Sequence, residues 1–228
     1  MSKYYIRFST RQRLEHFCVM SLFIILSVTG LPQKFFEASW ASWMLHALGG
    51  IDRVRWFHRA AGLAFAAMTA VHLMTAIGLV ATGRSAFSIV PNRKDFTDAI
   101  QTLRYYLGLH DQPSRFDRFD YRQKFEYWGL VLGAVVVIST GLVLYFPILF
   151  TRFFPGELVP AAKAAHGNEG LMAFLVVILW HIYNAHLNPD VFPFDTTIFS
   201  GKISAERMHH EHPLEYERLK ALEGSEES

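Results

Sequence analysis

The stretches His58-Arg-Ala-Ala-Gly62 and His166-Gly-Asn-Glu-Gly170 each place a histidine and a glycine, four residues apart, near the start of a long apolar segment. Each segment carries a second histidine further on, His72 in the first and His181 in the second. An α-helix rises about 1.5 Å and turns about 100° per residue, so each pair lies on roughly one face, with about 21 to 22 Å between its members. Ionisable side chains inside membrane helices are costly and usually functional. The histidines of these two segments are therefore the first candidates for functional residues.

Four apolar blocks are long enough to cross a bilayer, which takes about 20 residues. The chain has 228 residues, of which 51% are hydrophobic, and its mean hydropathy is +0.18. We place the blocks near 14–32, 56–82, 125–150 and 164–188, with a charged tail over 189–228. The sequence thus predicts an all-α membrane protein, a single domain over 1–228, in which four transmembrane helices form a bundle.

The distribution of Lys and Arg predicts the orientation of these helices. Four such residues precede the first block, eight lie from Arg84 to Lys124 in the second connection, and four lie in the tail, whereas the first and third connections have five between them. Since cytoplasmic connections are rich in Lys and Arg, we expect both termini in the cytoplasm of a multi-pass protein of the bacterial inner membrane. The net charge of +2 gives no reason to expect a nucleic acid partner.

Local signals predict structure in the connections. The stretch Asp98 to Gly108 has the pattern of a short helix stopped by glycine, and the tail is expected to contain one helix near 204–222, with Ser204 in its first turn. The single cysteine, Cys18, excludes an intrachain disulfide and any cysteine-ligated iron–sulfur cluster within this chain.

A weak internal repeat relates the two halves of the apolar region. Thr29-Gly30-Leu31 follows Glu15, with the threonine 14 positions after the glutamate, and Thr140-Gly141-Leu142 follows Glu126 at the same separation. Each repeat precedes a segment with the His-x-x-x-Gly opening. The pattern suggests two related helix pairs, which can hold cofactors between facing helices. The alternative is a chance recurrence of a short string.

The membrane histidines have the chemistry of axial ligands to haem iron. Depth in the membrane suggests that His58 and His166 share one haem near the periplasmic edge and that His72 and His181 share a second, deeper one. The alternative for any single membrane histidine is a polar residue that bonds a neighbouring helix.

Two further histidines lie close to the predicted cytoplasmic edge. His16 and His186 are candidate ligands of a third haem, or one of them could bind a quinone; for His186 an interfacial histidine without ligand role is an equal alternative. Haem propionates need cationic partners, for which the residues at the helix edges are candidates, Arg59 first among them: Arg13, Arg55, Arg59 and Lys163. The tail histidines His209, His210 and His212 are expected to be solvated, with a metal site as the less favoured alternative.

Several motifs resemble the cytochrome b subunit of membrane formate dehydrogenases and the wider group of four-helix cytochromes b that serve Ni-Fe hydrogenases. They are Arg13-Leu-Glu-His16, His58-Arg-Ala-Ala-Gly62, Gln123-Lys124, His166-x-x-x-Gly170, Gly201-Lys-Ile-Ser204 and His210-Glu-His212-Pro213. The resemblance implies two haems b, held by residues matching His16, His58 and His166, with His181 or His186 as the fourth ligand. His72 is not part of that pattern, and the spacing from His166 to His181 is one residue longer here.

The resemblance also implies a quinone pocket near the start of the third helix, at Asp120-Tyr-Arg-Gln-Lys124, where Asp120 could take protons and Glu15 could assist. The chain is then a subunit with two or three haems b that carries electrons between a periplasmic redox subunit, either a multihaem cytochrome c or an iron–sulfur protein, and the membrane quinone pool. Catalysis on a substrate is expected in other subunits. The alternatives are a histidine-lined metal-ion transporter and a membrane anchor with structural haem.

Overall fold

The protein is described by a computed structural model over residues 3–83 and 88–226, so Arg84 lies outside the described residues. It is mostly helical (74%). In chain order the elements are β1 Tyr4–Ile6, α1 Thr10–Lys34, α2 Ser39–Ala47, α3 Ile51–Ala81, α4 Arg93–Tyr106, α5 Tyr121–Tyr145, α6 Pro147–Phe150, α7 Leu158–Leu175 with the π-helical continuations Val176–His181 and Tyr183–Leu187, α8 Thr197–Ser200, β2 Lys202–Ser204, α9 Ala205–Glu211 and α10 Pro213–Glu226.

Four helical segments of the described chain are long and apolar enough to cross a membrane. They are Thr10–Lys34, Ile51–Ala81, Tyr121–Tyr145 and Leu158–Leu187. All four predicted spans are therefore confirmed as helices, with shifted ends. The third span stops at Tyr145 rather than near 150, since Pro147 has no N–H to continue the helix and instead starts α6.

The connections contain more helix than the sequence predicted. The short helix α2 lies in a stretch that we predicted to be a loop. The helix expected from Asp98 begins earlier, at Arg93, because Asn92 and Asp95 form a reciprocal capping box at its start. It ends at Tyr106, just before Gly108, whose φ of +70° is in the left-handed region that glycine adopts at no steric cost.

The chain divides into two compact units. One, which we call the bundle unit, comprises Leu14–Gly78 and Leu130–Asp195, and it contains all six predicted membrane histidines. The other, the strand unit, comprises Met1–Arg13, Leu79–Gly129 and Thr196–Ser228. Each is described separately below.

A two-stranded antiparallel sheet organises the strand unit. β1 pairs with β2 so that Tyr5 lies opposite Ile203, and these two side chains form a small core with the fully buried Met208 of α9. Gly201 precedes β2 with a φ of +79°, and a Cβ there would lie 2.8 Å from the carbonyl oxygen of Phe8. Only glycine therefore allows the two segments to approach this closely.

A buried ion network joins three distant segments of the strand unit. The guanidinium of Arg7 donates to Glu215 Oε2 at 2.8 Å and to the carbonyl oxygen of Arg118. Arg118 in turn donates to Glu215 Oε1 at 2.6 Å and to the carbonyl oxygen of Arg7 at 2.7 Å. The side chains of Arg7 and Glu215 are only 3% and 5% exposed, so water cannot solvate either charge if its partner is lost.

The tail differs from the single helix that we predicted. It consists of α9 and α10, which are separated at His212 because Pro213 interrupts the hydrogen-bond ladder. Ser204 does cap α9, accepting a hydrogen bond from the backbone N–H of Arg207. The prediction that the tail histidines are all solvated is wrong for His212, which is 4% exposed and donates from Nδ1 to the carbonyl oxygen of Asp117 at 2.8 Å.

The Glu215→Gln variant should loosen the strand unit, because it leaves the buried guanidinium of Arg7 and the partly buried guanidinium of Arg118 without their common counter-charge. Removing one member of a buried ion pair costs about 3 kcal/mol or more. Hydrogen exchange of the β1 and β2 amides measures the effect. The matched control is Glu223→Gln, which breaks the exposed pair with Lys3 and should leave exchange unchanged. Equal exchange in the two variants would contradict the role of the network.

Acid should destabilise the strand unit through His212. Burial, and then the positive charge of Arg7, lower the pKa of this imidazole to about 4. The unfolded chain therefore binds a proton between pH 6.5 and about 4 that the folded chain does not, so stability is full above pH 6.5 and falls by roughly 3 kcal/mol as the pH drops to 4. The His212→Asn variant should lose this pH dependence of amide exchange, whereas His210→Asn, at an exposed position, should retain it.

Candidate functional site

The histidines that open the second and fourth spans lie against each other in the bundle unit. The ring centres of His58 on α3 and His166 on α7 are 6.1 Å apart, with their planes at 83°. Both side chains are partly buried. A metal–imidazole bond is about 2 Å long and the ring centre lies roughly 1 Å beyond the nitrogen, so two imidazoles on opposite sides of one metal have centres roughly 6 Å apart. The observed separation fits a metal held between the two rings.

A threonine on the first span orients His58. Thr29 Oγ1 lies 2.9 Å from His58 Nδ1 and donates its own proton to the carbonyl oxygen of Ile25 at 2.6 Å. The hydroxyl therefore accepts from the ring, which places the imidazole proton on Nδ1 and leaves the lone pair on Nε2. This neutral form is the one that binds metal ions. The adjacent Gly30 makes room for the ring, since a Cβ there would lie 3.0 Å from His58 Cε1.

The third span repeats this arrangement for His166. His166 Nδ1 lies 3.0 Å from the carbonyl oxygen of Val137 and 3.2 Å from Thr140 Oγ1. A carbonyl oxygen only accepts, so Nδ1 again carries the proton. Gly141 lies under the ring, because a Cβ there would meet His166 Cε1 at 3.2 Å. Both histidines thus have the same tautomer and the same kind of support.

The Thr-Gly-Leu repeat is the signal that identifies these supporting residues. From the sequence the repeat suggested two related helix pairs, without a role for its threonines and glycines. In the structure its threonines, Thr29 and Thr140, bond the histidines that open the following spans, and its glycines let those rings approach. A ring nitrogen not bound to metal commonly donates to such a partner, which fixes the orientation of the ligand.

A second pair of histidines joins the first and fourth spans. The ring centres of His16 on α1 and His181 are 6.2 Å apart, with their planes at 39°. Among the described residues, His16 Nδ1 is a buried nitrogen without a hydrogen-bond partner. His181 lies in the π-helical stretch that continues α7, so the angular positions expected from a regular α-helix do not hold there. The wider turn brings His181 beside His16 within the bundle unit.

The remaining two membrane histidines make other contacts. His72 Nδ1 lies 2.9 Å from a carboxylate oxygen of Glu15, in a pair that is partly shielded from solvent. The ring of His186 stacks on Phe194, with centres 4.1 Å apart and planes at 3°. Arg59, the first candidate partner of a haem propionate, also contacts another side chain: its guanidinium lies over the ring of Tyr145, 5.3 Å from the ring centre.

The side chains of Arg13 and Asp120 form hydrogen bonds that stabilise the strand unit. Arg13 donates to the carbonyl oxygen of Phe199. Asp120 is 6% exposed and forms the N-terminal cap of α5: its Oδ1 accepts the backbone N–H of Gln123 at 2.8 Å, and its Oδ2 accepts from Arg122 at 2.8 Å. Asp120 is therefore a buried capping residue and not a solvated loop charge. Arg55 and Lys163 are exposed.

No group of three or more His, Cys, Asp and Glu side chains that could hold a metal ion occurs over residues 3–83 and 88–226, and the tail histidines are included in that range. Metal binding by the histidines of the bundle unit would therefore rely on pairs. A pair of imidazoles would hold the iron of a porphyrin, whose own nitrogens would supply its other ligands, so the donor set fits haem.

Comparison with known proteins agrees with this chemistry. The family described as prokaryotic cytochrome b561 matches the chain over residues 7–192. The chain is also similar to the cytochrome b556(fdo) subunit of formate dehydrogenase from Escherichia coli K12, with 22% identity over 180 residues that cover 79% of this chain and 78% of the relative. The matching subunit of Escherichia coli O157:H7 has the same identity and coverage. This chain belongs to the prokaryotic cytochrome b561 family.

Proposed function

We propose that this b-type cytochrome, a multi-pass bacterial membrane protein, holds two haems b. One would lie between His58 and His166, and the other between His16 and His181. The observation that carries the proposal is the pair of imidazole contacts at 6.1 and 6.2 Å, each joining two membrane spans. Haem b supplies one-electron redox chemistry when bound. The protein contributes four neutral imidazoles and fixes the orientation of two of them through Thr29 and Thr140.

The ligand set leaves out His72 and His186. Their contacts with Glu15 and Phe194 give each a role as a packing residue. His181 is preferred as the second ligand on the fourth span because its ring lies beside that of His16. The spacing from His166 to His181 is one residue longer than in the cytochromes that the chain resembles. A turn closed by i→i+5 bonds contains more residues than an α-turn, so the π-helical segment can take up the excess.

We propose further that the chain carries electrons between a redox subunit on the periplasmic side and the membrane quinone pool. The orientation is supported by the excess of Lys and Arg before the first span, in the second connection and in the tail. Since cytoplasmic segments are rich in these residues, both termini would lie in the cytoplasm and the protein in the inner membrane. Support for a partner complex is the similarity to the cytochrome subunit of formate dehydrogenase. Since Asp120 serves as a helix cap, a proton-donating role for it is not part of this proposal.

Replacing any of the four proposed ligands by alanine should remove one haem. We expect His58→Ala and His166→Ala to lose the same spectral component, and His16→Ala and His181→Ala to lose the other, because each iron then lacks an axial ligand. Reduced-minus-oxidised visible spectra and the haem content per chain measure this. His46→Ala, an exposed position on α2, is the matched control and should be unchanged. Loss of haem in His72→Ala or His186→Ala, with retention in His181→Ala, would contradict the proposed set.

Replacing Thr29 or Thr140 by valine should weaken haem binding without removing a ligand. Valine keeps the shape and deletes one hydroxyl that accepts the Nδ1 proton. For Thr29→Val the affinity for haem should fall about 10-fold and the midpoint potential should rise as the imidazole becomes a weaker donor. The effects of Thr140→Val should be smaller, because the carbonyl oxygen of Val137 still accepts from His166 Nδ1. Titration of the apoprotein with hemin and redox potentiometry measure the two effects. Thr151→Val removes a hydroxyl that donates to the carbonyl oxygen of Pro147, and it should change neither quantity. A response of Thr151→Val equal to that of Thr29→Val would contradict the role of the hydrogen bond.

A further inference from the structure

Helix α4 has its polar face turned inward and its apolar face turned outward. The residues buried on it are Asp98 and Thr102. Four large apolar side chains on it and just after it are exposed, each by more than half: Phe96 by 72%, Ile100 by 59%, Leu103 by 59% and Leu107 by 63%. An amphipathic helix that faces water has the opposite arrangement.

The polar face is held by ion pairs and hydrogen bonds within the strand unit. Lys124, which is itself buried, donates to both carboxylate oxygens of Asp95 at 2.8 and 3.0 Å. Lys94 donates to the carboxylate of Asp98 at 2.6 and 2.7 Å, and Ser114 donates to the carbonyl oxygen of Asp98 at 3.0 Å. The orientation of α4 is therefore fixed, and its apolar side has to face outward.

The outward side has the composition of a helix that lies on a lipid surface. Phe96, Ile100, Leu103 and Leu107 follow the spacing of one helix face, and their directions fall within about 60° of one another. Arg93 and Arg104, both exposed, lie about 50 to 70° to one side of that stripe. Apolar residues flanked by cations are typical of helices that bind the headgroup region of membranes containing anionic lipids.

The contacts of α4 place it where the chain enters the membrane. Lys124, which pairs with Asp95, lies in the first turn of the membrane-spanning helix α5. One turn further along α5, Trp128 donates from Nε1 to the carbonyl oxygen of Ile89, a few residues before α4. The start of α4 is thus tied to the end of a span, at the level of the interface at which tryptophan is enriched.

We propose that α4 is an interfacial membrane helix, whose stripe of Phe96, Ile100, Leu103 and Leu107 is inserted among the acyl chains of the bilayer while Arg93 and Arg104 contact anionic headgroups. A partner protein is the competing occupant. The bilayer is favoured because the stripe is tied to a membrane-entry point and because its flanking charges are cationic. The inference does not depend on haem ligation.

Single-cysteine probes test this in the full-length protein. In a Cys18→Ser background, Ile100→Cys and Leu103→Cys would be labelled with an environment-sensitive fluorophore, with Asp111→Cys, an exposed loop position, as the control. The proteins would be placed in nanodiscs of phosphatidylcholine and phosphatidylglycerol, with and without brominated acyl chains. We expect bromine to quench the probes at 100 and 103 roughly twofold or more, and the probe at 111 not at all.

Accessibility to aqueous iodide separates the other outcomes. Protection from iodide together with bromine quenching supports insertion into lipid. Protection from iodide without bromine quenching means that protein covers the stripe, either a second copy or another subunit, and overturns the proposal. Full access to iodide at position 100, equal to that at position 111, also overturns it. The haem spectrum of each labelled variant, compared with that of the unlabelled protein, shows that the fold is retained.

Discussion

An imidazole inside a membrane-spanning helix needs a hydrogen-bond partner from the protein, because lipid offers none. In the bundle unit the partner of each opening histidine lies on the preceding span: Thr29 for His58, and Thr140 with the carbonyl of Val137 for His166. Once Nδ1 donates in this direction, the lone pair is on Nε2. The same hydrogen bond therefore does two things. It satisfies a polar group inside the membrane, and it leaves Nε2 free to bind a metal.

A glycine next to each threonine makes room for the hydrogen bond between threonine and histidine, once in each half of the bundle unit. A threonine can reach the ring only if the helices approach closely, and Gly30 and Gly141 provide the space next to each threonine. The contact of α1 with His58 and that of α5 with His166 therefore use the same pair of residue types, a threonine and the glycine after it. Two helix pairs related in this way are consistent with the internal repeat and with membership in a family of b-type cytochromes. The second histidine pair, on α1 and the π-helical part of the fourth span, has no such device.

The strand unit is built under the opposite constraint, since its interior contains charges that must be paired. Arg7, Arg118 and Glu215 come from the segment after β1, the connection before α5 and the tail, and their hydrogen bonds join these three segments. Helix α4 follows the same principle, with Asp95 paired to the buried Lys124 and Asp98 to Lys94 of the same helix. The residues buried on α4 are polar, so its large apolar side chains remain exposed.

The sequence by itself determined the four spans, their histidines and the class of protein, because long apolar blocks and ionisable residues within them leave few alternatives in a bilayer. It also located the end of α4, since a glycine is a local signal, but it missed the start of that helix at Arg93. Tertiary structure decided which imidazoles meet: depth in the membrane suggested pairing His181 with His72, whereas in the structure the ring of His181, in a π-helical stretch, lies beside that of His16. The burial of His212, the role of Thr29 and Thr140, and the pairing of β1 with β2 depend on contacts between residues far apart in the chain. Such contacts leave no periodic pattern, so only the folded chain reveals them.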